Sequence, residues 1–495
     1  MPFTLKGGID IRENVRDRTG GTTPWTFVGA DGRASTTPVG NDDSAGVVLD
    51  EAFSQRFGPY GFPRIQWIDN HEYYSLYKAH PEYFRINDDS AYRSKVSTER
   101  YARETTSSAY LRGDIAFFQR RLQFTGGLRA EQTNVKGAGP LTDPTRAFQR
   151  DAQGQVIYQR DANGSLLRNP QGNPIPALIV PTTAGLPYSQ LTYISRGQIA
   201  EKEYLRLFPN LNASYRLLED LVLRGAYYWS VGRPDFSQYA GGSTLPDTTQ
   251  LPSSTNVISV NNPGIKAWSA RTYKLRVEYY FDRVGQISIG GFRRDFTNFF
   301  GSTVLAATPE FLALNNLDPS VYGNYNVATN FNLSSPVRMT GLEFDYKQAL
   351  TFLPAWAQGV QVFANASAQR ATGDTAAANF AGYVPRSGAW GISLTRPKYL
   401  LKVNWNYRGM NRGGPAAAGR SIDPNTYNWS AKRLYIDLTG EYKMHRNYTL
   451  FANMRNVANQ FEDSKVYGPN TPNYARFRQR IDYGSAWVFG VRGNW

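Results

Sequence analysis

The 495 residues include 55 Lys and Arg against 40 Asp and Glu, a formal charge of +15, with 32 Tyr, 10 Trp, 45 Gly and no Cys. Without cysteine there is neither a disulfide framework nor a thiolate metal site. No run approaches the roughly 18 apolar residues of a spanning helix, so a helical membrane protein is excluded.

The basic residues stand singly and not in runs of roughly five to eight, so the charge predicts no nucleic-acid partner. A charged channel wall or a lipopolysaccharide surface accounts for it equally well.

In chain order, Met1-Pro-Phe-Thr-Leu-Lys-Gly-Gly-Ile-Asp10 runs directly into an alternating strand, with residues 5–12 as its centre. No charged segment and apolar stretch precede it, so no signal peptide is expected within this chain. Residues 17–97 are rich in Gly, Pro, Tyr and Asp, as in Phe57-Gly-Pro-Tyr-Gly-Phe-Pro63, and read as a long loop. Tyr60, Trp67, Tyr73 and Tyr74 within it are candidate aromatic platforms for a ligand; packing of the loop on itself is the alternative.

Along the chain, segments of period-two alternation recur, about fourteen in all. Leu122, Phe124, Leu128 and Ala130 oppose Gln123, Thr125, Arg129 and Glu131. Tyr273, Leu275, Val277, Tyr279 and Phe281 oppose Lys274, Arg276 and Glu278. Leu401, Val403, Trp405 and Tyr407 oppose Lys402, Asn404, Asn406 and Arg408. Leu434, Ile436, Leu438 and Tyr442 oppose Tyr435, Asp437, Thr439, Glu441 and Lys443. Strand side chains alternate between faces, so one face is apolar and the other suits a wet interior.

The connections alternate too. Short turns fall near Gln119-Arg120, Leu218-Glu219-Asp220, Asp282-Arg283-Val284-Gly285, Thr395-Arg396-Pro397-Lys398 and His445-Arg446-Asn447. Between them lie long polar segments near residues 17–97, 136–197, 235–264, 301–330, 412–427 and 461–476. That two-sidedness is expected of an up-and-down barrel with long loops outside and short turns on the periplasmic side. Phe117, Phe118, Phe281, Tyr399 and Tyr442 sit beside short turns, and Tyr227, Trp229, Trp405 and Tyr407 toward long loops, as two girdles would.

Within the second long loop, Arg150-Asp-Ala-Gln-Gly154 recurs as Arg160-Asp-Ala-Asn-Gly164 and Arg168-Asn-Pro-Gln-Gly172, a pattern of tight hairpin turns. The last strand, Arg480 to Trp495, places Ile481, Tyr483, Trp487, Phe489, Val491 and Trp495 on one face.

Enzyme signatures are missing. His71, His80 and His445 are scattered, and no phosphate loop or dinucleotide fingerprint is present. Asp345, Asp437 and Glu441 read by default as lumen charges paired with Arg or Lys, so no catalytic site, metal or cofactor is expected.

Leu207-Phe-Pro-Asn-Leu-Asn-Ala-Ser-Tyr215, its turn, and Leu221 to Phe236 resemble a hairpin of the TonB-dependent outer-membrane receptors. Asn262 to Trp268 running into Tyr273 to Phe281 is similar to another barrel segment of that family, as is Thr340-Gly-Leu-Glu-Phe-Asp-Tyr346. Phe451-Ala-Asn-Met-Arg-Asn-Val-Ala-Asn-Gln460 resembles the penultimate strand and its Asn-apolar-x-Asn turn. The resemblance spans residues 98–495.

It implies an all-β, transmembrane, antiparallel up-and-down barrel in the bacterial outer membrane, with about 14 strands here out of roughly 22. It also implies energy-coupled uptake of a scarce bulky nutrient, a metal chelate or glycan. The coupling motif and plug of the family resemble nothing in this chain, so residues 1–495 are expected to be a C-terminal barrel portion. A TonB-type coupling protein would then act only through a plug outside it. Trp487, Phe489, Val491 and Trp495 resemble the C-terminal signal read by the barrel-assembly machinery, and outer-membrane lipid and lipopolysaccharide are expected around the barrel. A complete fourteen-strand passive channel and a secreted all-β carbohydrate-binding protein are the alternatives. Facing predicts that Asp at Val403 or Leu438 harms insertion more than Asp at Asn404 or Thr439.

Overall fold

The computed structural model describes all residues except 1–2, 35–41, 59–60, 170–171, 173, 249–251, 253–255, 261–264, 282–283, 316, 374, 376–379, 381, 417–422, 424 and 494–495. Fourteen long strands form its frame: β1 (Phe3–Arg18), β2 (Arg100–Phe117), β3 (Leu122–Thr142), β4 (Tyr193–Arg216), β5 (Leu221–Gly232), β6 (Trp268–Phe281), β7 (Gly285–Thr297), β8 (Val337–Ala349), β9 (Val360–Gly373), β10 (Arg386–Thr395), β11 (Tyr399–Arg408), β12 (Arg433–His445), β13 (Tyr448–Arg455) and β14 (Ala486–Gly493). Each pairs antiparallel with the next. No helix among the described residues is long and apolar enough to cross a membrane, and in a barrel the crossing falls to strands.

Antiparallel register puts directly opposed residues on one face, so a single row can be followed across the sheet. Gly7, Leu111, Leu128 and Pro209 share a row, as do Tyr227 and Tyr273 farther on. Leu128, Leu211, Leu275, Ile289, Leu342, Leu401 and Val491 are exposed along this face, which forms the outer apolar belt. On the other face Asp10, Ser108, Glu131 and Arg206 align, as do Arg224 with Arg276 and Lys402 with Thr439. The alternation read from the sequence is thus an inside-outside alternation.

Connections 118–121, 217–220, 282–284, 350–359, 396–398 and 446–447 lie at one rim, and 19–99, 143–192, 233–267, 298–336, 374–385, 409–432 and 456–485 at the other. Residues 118–120 turn with positive φ at Phe118, Gln119 and Arg120. The 350–359 and 374–385 connections were not apparent in the sequence, because neither has a sharp turn signature nor a long polar run. Aromatic pairs mark both levels. Tyr399 opposes Tyr442 and Phe281 lies 6.2 Å from Tyr346 near short turns, while Trp390 stacks on Trp405 at 6.5 Å toward the long loops.

The clusters of buried apolar residues gather at the long-loop end of the sheet, where strand ends meet the loops. One cluster joins two loops through Leu245, Ile258, Val260, Leu312, Tyr322, Tyr325 and Val327, where Asn326–Asn332 pairs in parallel with Ile258–Val260. A second unites Ala270, Phe292, Phe296, Leu333, Val337 and Met339. Phe292 and Met339 belong to the inner face, so the expectation of a uniformly wet interior holds only toward the short-turn side. Higher up, loop aromatics such as Phe299 and Phe380 pack against the wall.

The first long loop is partly structured. It holds helices Asn70–Ala79 and Asp88–Thr98, and a strand pair, Trp25–Phe27 with Phe84–Ile86. In the 143–192 loop each repeat makes the expected hairpin. Asp151 and Asp161 accept backbone N–H groups from the two turns, and Gly154 and Gly164 adopt φ of 81° and 82°. Arg150, Arg160 and Arg168 donate to the carbonyls of Gly154, Gly164 and Gly172 at 3.0, 2.7 and 2.6 Å, which explains the repeated arginine.

The closing strand is shorter than its alternation suggests. Phe477–Ile481 belongs to a separate loop sheet, residues 482–485 break the alternation with Gly484 at φ 68°, and β14 begins at Ala486. Asp482 accepts the Gly484 N–H at 2.9 Å and stabilises that break.

Tyr322 is 6% exposed within the two-loop cluster, and burial, assisted by the Asp143 carboxylate, pushes its phenol up to about 12. Unfolding returns it toward the ordinary value near 10, so its contribution is complete below pH 10 and is lost as pH rises from 10 through 12. Stability of this loop pair is expected to fall over that window, and Tyr322→Phe to flatten the fall. Thermal melts at stepped alkaline pH measure it; identical slopes in both proteins would discard the assignment.

Candidate functional site

The inner wall is a chain of linked charges. Arg129 bridges Asp10 of β1 at 3.3 Å and Glu131 of its own strand at 2.9 Å. Glu131 also pairs with Arg233 at the end of β5, and Arg233 approaches Glu104 of β2 at 3.9 Å. Tyr204 and Tyr239 lie in the same cluster; burial raises the Tyr239 phenol well above its usual range. Farther round, Glu278 accepts from Arg224 at 2.9 Å and Tyr280 at 2.8 Å, and Glu343 binds Lys274 at 2.6 Å. Only Arg224 and Glu278 belong to neighbouring strands; Arg129 with Asp10, Arg233 with Glu131 and Lys274 with Glu343 reach across an intervening strand, and Arg129 with Glu131 and Tyr280 with Glu278 stand two residues apart on one strand, so a shared inner face is what brings these charges together. Such a charged surface favours contact with water over contact with hydrocarbon.

The three carboxylates noted in the sequence do not converge. Asp345 accepts from Gln286 at 3.3 Å, Asp437 from the Asn456 backbone at 3.0 Å, and Glu441 pairs with Arg492 at 3.1 Å. Asp345 on β8 is four strands from the other two on β12. His80 stacks on Tyr83, His445 lies beside Tyr448, and His71 stands in the first turn of the helix Asn70–Ala79, its backbone N–H donated to Asp69 at 2.8 Å; the three form no cluster among the described residues.

Above the wall, the 409–432 and 456–485 loops build a four-stranded sheet from Asn411–Pro415, Tyr427–Ser430, Glu462–Tyr467 and Phe477–Ile481. Register places Tyr427 opposite Tyr467, and Trp429 opposite both Arg412 and Lys465, on one face. Trp429 stacks on Tyr467 at 4.7 Å and 9°, Arg412 covers Tyr427 at 4.5 Å, and Arg476 covers Tyr467 at 4.7 Å. Flat rings beside guanidinium and ammonium groups suit a planar or anionic ligand. Sequence reading missed this face because its members are scattered over two loops and meet only through non-local pairing.

The platforms named from the sequence lie elsewhere. Tyr73 packs against Phe84 at 5.2 Å and Phe27 at 6.0 Å, and burial raises its phenol. Trp67 stands edge-on to Phe53 at 5.3 Å and remains half exposed. Tyr74 is 56% exposed, with Lys78 over its ring at 4.6 Å. Tyr60 and Trp495 fall outside the described residues. Trp487, Phe489 and Val491 face outward on β14, opposite Met454, Ala452 and Leu450. The Asn456-Val-Ala-Asn459 turn has left-handed backbone at both asparagines, and the Asn456 amide is held by Gln460 at 2.8 and 3.2 Å.

The chain is similar, at low identity, to several solved receptors. The siderophore receptor PiuA from Acinetobacter baumannii aligns with 99% of this chain and 53% of its own, at 11% identity and a TM-score of 0.49. The ferric-catecholate import receptor Fiu from E. coli K12 covers 79% and 45%, at 14% and 0.46. The hemophore receptor HasR of Serratia marcescens, solved with HasA and heme, covers 80% and 52%, at 15% and 0.45. The chain spans about half the length of these solved structures. No curated protein matches the sequence. The family described as TonB dependent receptor-like, beta-barrel matches residues 3–457, from β1 through β13, starting well before residue 98 and leaving β14 beyond the match. The chain therefore belongs to the TonB-dependent receptor-like β-barrel family of the bacterial outer membrane.

Proposed function

We propose that this chain is the C-terminal barrel portion of a receptor that takes up a scarce, bulky nutrient by energy coupling through a plug. The observation that carries this reading is the open fourteen-strand meander. Among the described residues, β1 pairs only with β2 and β14 only with β13. Two unpaired edges are a template for further strands, and roughly eight more would complete a barrel of the 22-strand size class. A self-sufficient fourteen-strand channel would instead pair β1 with β14.

Of the two ligand classes, an anionic metal chelate is favoured over a neutral glycan by Arg412, Lys465 and Arg476 beside the stacked rings. Capture on this face precedes passage along the charged wall. Trp487, Phe489 and Val491, with Trp495, serve as the signal to the assembly machinery.

The test is uptake of radiolabelled ferric chelates and labelled oligosaccharides by cells expressing the gene in its native context, with and without collapse of the proton gradient. Gradient-dependent accumulation of a chelate is expected; gradient-independent equilibration would replace this reading with a passive channel. Trp429→Ala combined with Arg476→Ala is expected to weaken chelate binding by roughly tenfold or more, about 1.4 kcal/mol or above. Unchanged affinity would remove the loop sheet from the site.

A further inference from the structure

The positive charge of the inner wall is unevenly compensated. On the side formed by β1–β8, Asp10, Glu131, Glu278 and Glu343 each hold an arginine or lysine of the same face. The neighbouring panel of β9, β10 and β11 carries no Asp or Glu at any position. Its two inward cations, Lys402 and Arg408 of β11, make no ion pair among the described residues. Arg408 stands opposite Arg433, whose own partner is Glu462, and the Arg408 Nε is buried without a hydrogen bond among the described residues. Lys402 stands opposite Ser393 and Thr439, with its ammonium 5.7 Å from the centre of the Phe363 ring. Asp437, the next inward residue of β12 from Thr439, is already engaged, accepting from the Asn456 N–H at 3.0 Å and the Asn406 amide at 3.2 Å.

The panel also has a furrow. β10 points Ser387, Ala389, Gly391 and Ser393 inward, all small, and the longer inward side chains of β9 and β11 flank them. At Gly391 an added Cβ would lie 2.5 Å from the Phe363 ring and 2.7 Å from Asn404 Oδ1, so these two side chains lean over the glycine from opposite banks. Arg408 and Lys402, six residues apart on one strand, are separated by about 20 Å. Small residues alone would only make room. The unpaired guanidinium and ammonium add a sign, because a stripe of one charge inside a low-dielectric shell concentrates the opposite ion. Paired charges, as on β1–β8, largely cancel at a distance.

We infer that the β9–β11 panel is the track along which a multiply charged oxyanion moves through the lumen, held first by Arg408 and then by Lys402. The guanidinium accepts two oxygens in a fork, and the ammonium follows the anion past Phe363 on its flexible stem. Between them the amides and hydroxyls of Asn365, Asn406 and Ser393 offer hydrogen bonds without a competing negative charge. The inference rests on the proposed uptake of an anionic chelate and adds which wall that chelate follows.

The experiment takes the whole receptor from outer membranes in mild detergent and acetylates it with two N-hydroxysuccinimide esters that differ only in a sulfonate, one anionic and one neutral. Peptide mass spectrometry reads each lysine, and the ratio of the two rates cancels the amine's own reactivity. At about 10 mM salt, where screening extends over roughly 30 Å, the ratio at Lys402 is expected to exceed that at Lys274 by about fivefold. Lys274 is the reference because it faces the same lumen but is paired with Glu343. The difference should vanish at about 1 M salt. Thr439→Asp, which sets a carboxylate opposite Lys402, should abolish it, and millimolar citrate should protect Lys402 where sucrose does not. In cells, Lys402→Gln combined with Arg408→Gln should lower the maximal rate of anionic chelate uptake about tenfold with surface binding unchanged. Heat-modified gel mobility reports the assembly of each variant. Equal ratios at Lys402 and Lys274, no labelling of Lys402, protection by sucrose equal to that by citrate, or an unchanged uptake rate in the double variant would each overturn the inference. The labelling results do not depend on uptake, so a failure of the nutrient reading is recognised separately.

Discussion

Val403→Asp and Leu438→Asp are each expected to impair membrane insertion, at a cost of about 2 kcal/mol for a carboxylate near mid-belt on the lipid side. The two residues oppose each other on β11 and β12 with their side chains outward, so either carboxylate would face hydrocarbon with no partner. The inner controls are not equivalent. Thr439 lies opposite Lys402, so Thr439→Asp gains a cross-strand partner and should insert normally. Asn404 lies opposite Asp437, so Asn404→Asp sets like charges face to face and should show an intermediate loss. Heat-modified gel mobility and the membrane-bound fraction of the four variants measure this. Equal insertion of Val403→Asp and Thr439→Asp would mean the faces are reversed.

The second large effect concerns the charged wall. Glu131 is buried between Arg129 and Arg233, and Glu131→Gln would leave two guanidiniums facing each other without the shared carboxylate. Removing one partner of a fully buried ion pair costs roughly 3–5 kcal/mol. The side chains of Arg129 and Arg233 are 31% and 30% exposed, so water recovers part of that and about 2 kcal/mol is expected. Because Arg233 opens the 233–267 loop, the loss should appear both as a lower urea midpoint and as faster proteolysis within that loop. Glu131→Gln combined with Arg233→Met should cost less than the sum of the two changes. Strict additivity would show that the pair does not couple.

Facing of the strands was legible because period two is a local property. Tyr273 to Phe281 and Leu401 to Arg408 announce their two sides without reference to any neighbour, and the register bears out each assignment. The long segments hid their architecture. Nothing local in Asn326–Asn332 predicts a parallel pairing with Ile258–Val260, and nothing near Trp429 predicts Tyr467 as its stacking partner. The aromatic platforms expected in the first loop rest on composition, and composition does not distinguish a ring that packs inward, such as Tyr73, from one that stays open, such as Tyr74. The end of the alternation at residues 482–485 was equally invisible, since Tyr483 continues the apolar rhythm across a backbone break.

The sequence by itself determined the approximate strand number, the inside and outside of its clearest strands and two kinds of connection, and its segments at 207–236, 262–281, 340–346 and 451–460 carried the resemblance to the family. The first three follow from side-chain alternation and chain distance, which need no knowledge of partners. Only the tertiary structure decided that, among the described residues, β1 pairs with β2 alone and β14 with β13 alone, and that Phe292 and Met339 of the inner face join a cluster with loop residues. Those depend on register between strands far apart in the chain. A one-residue slip would reverse a strand's facing, and a two-residue slip would move every charge to another height while leaving the alternation untouched.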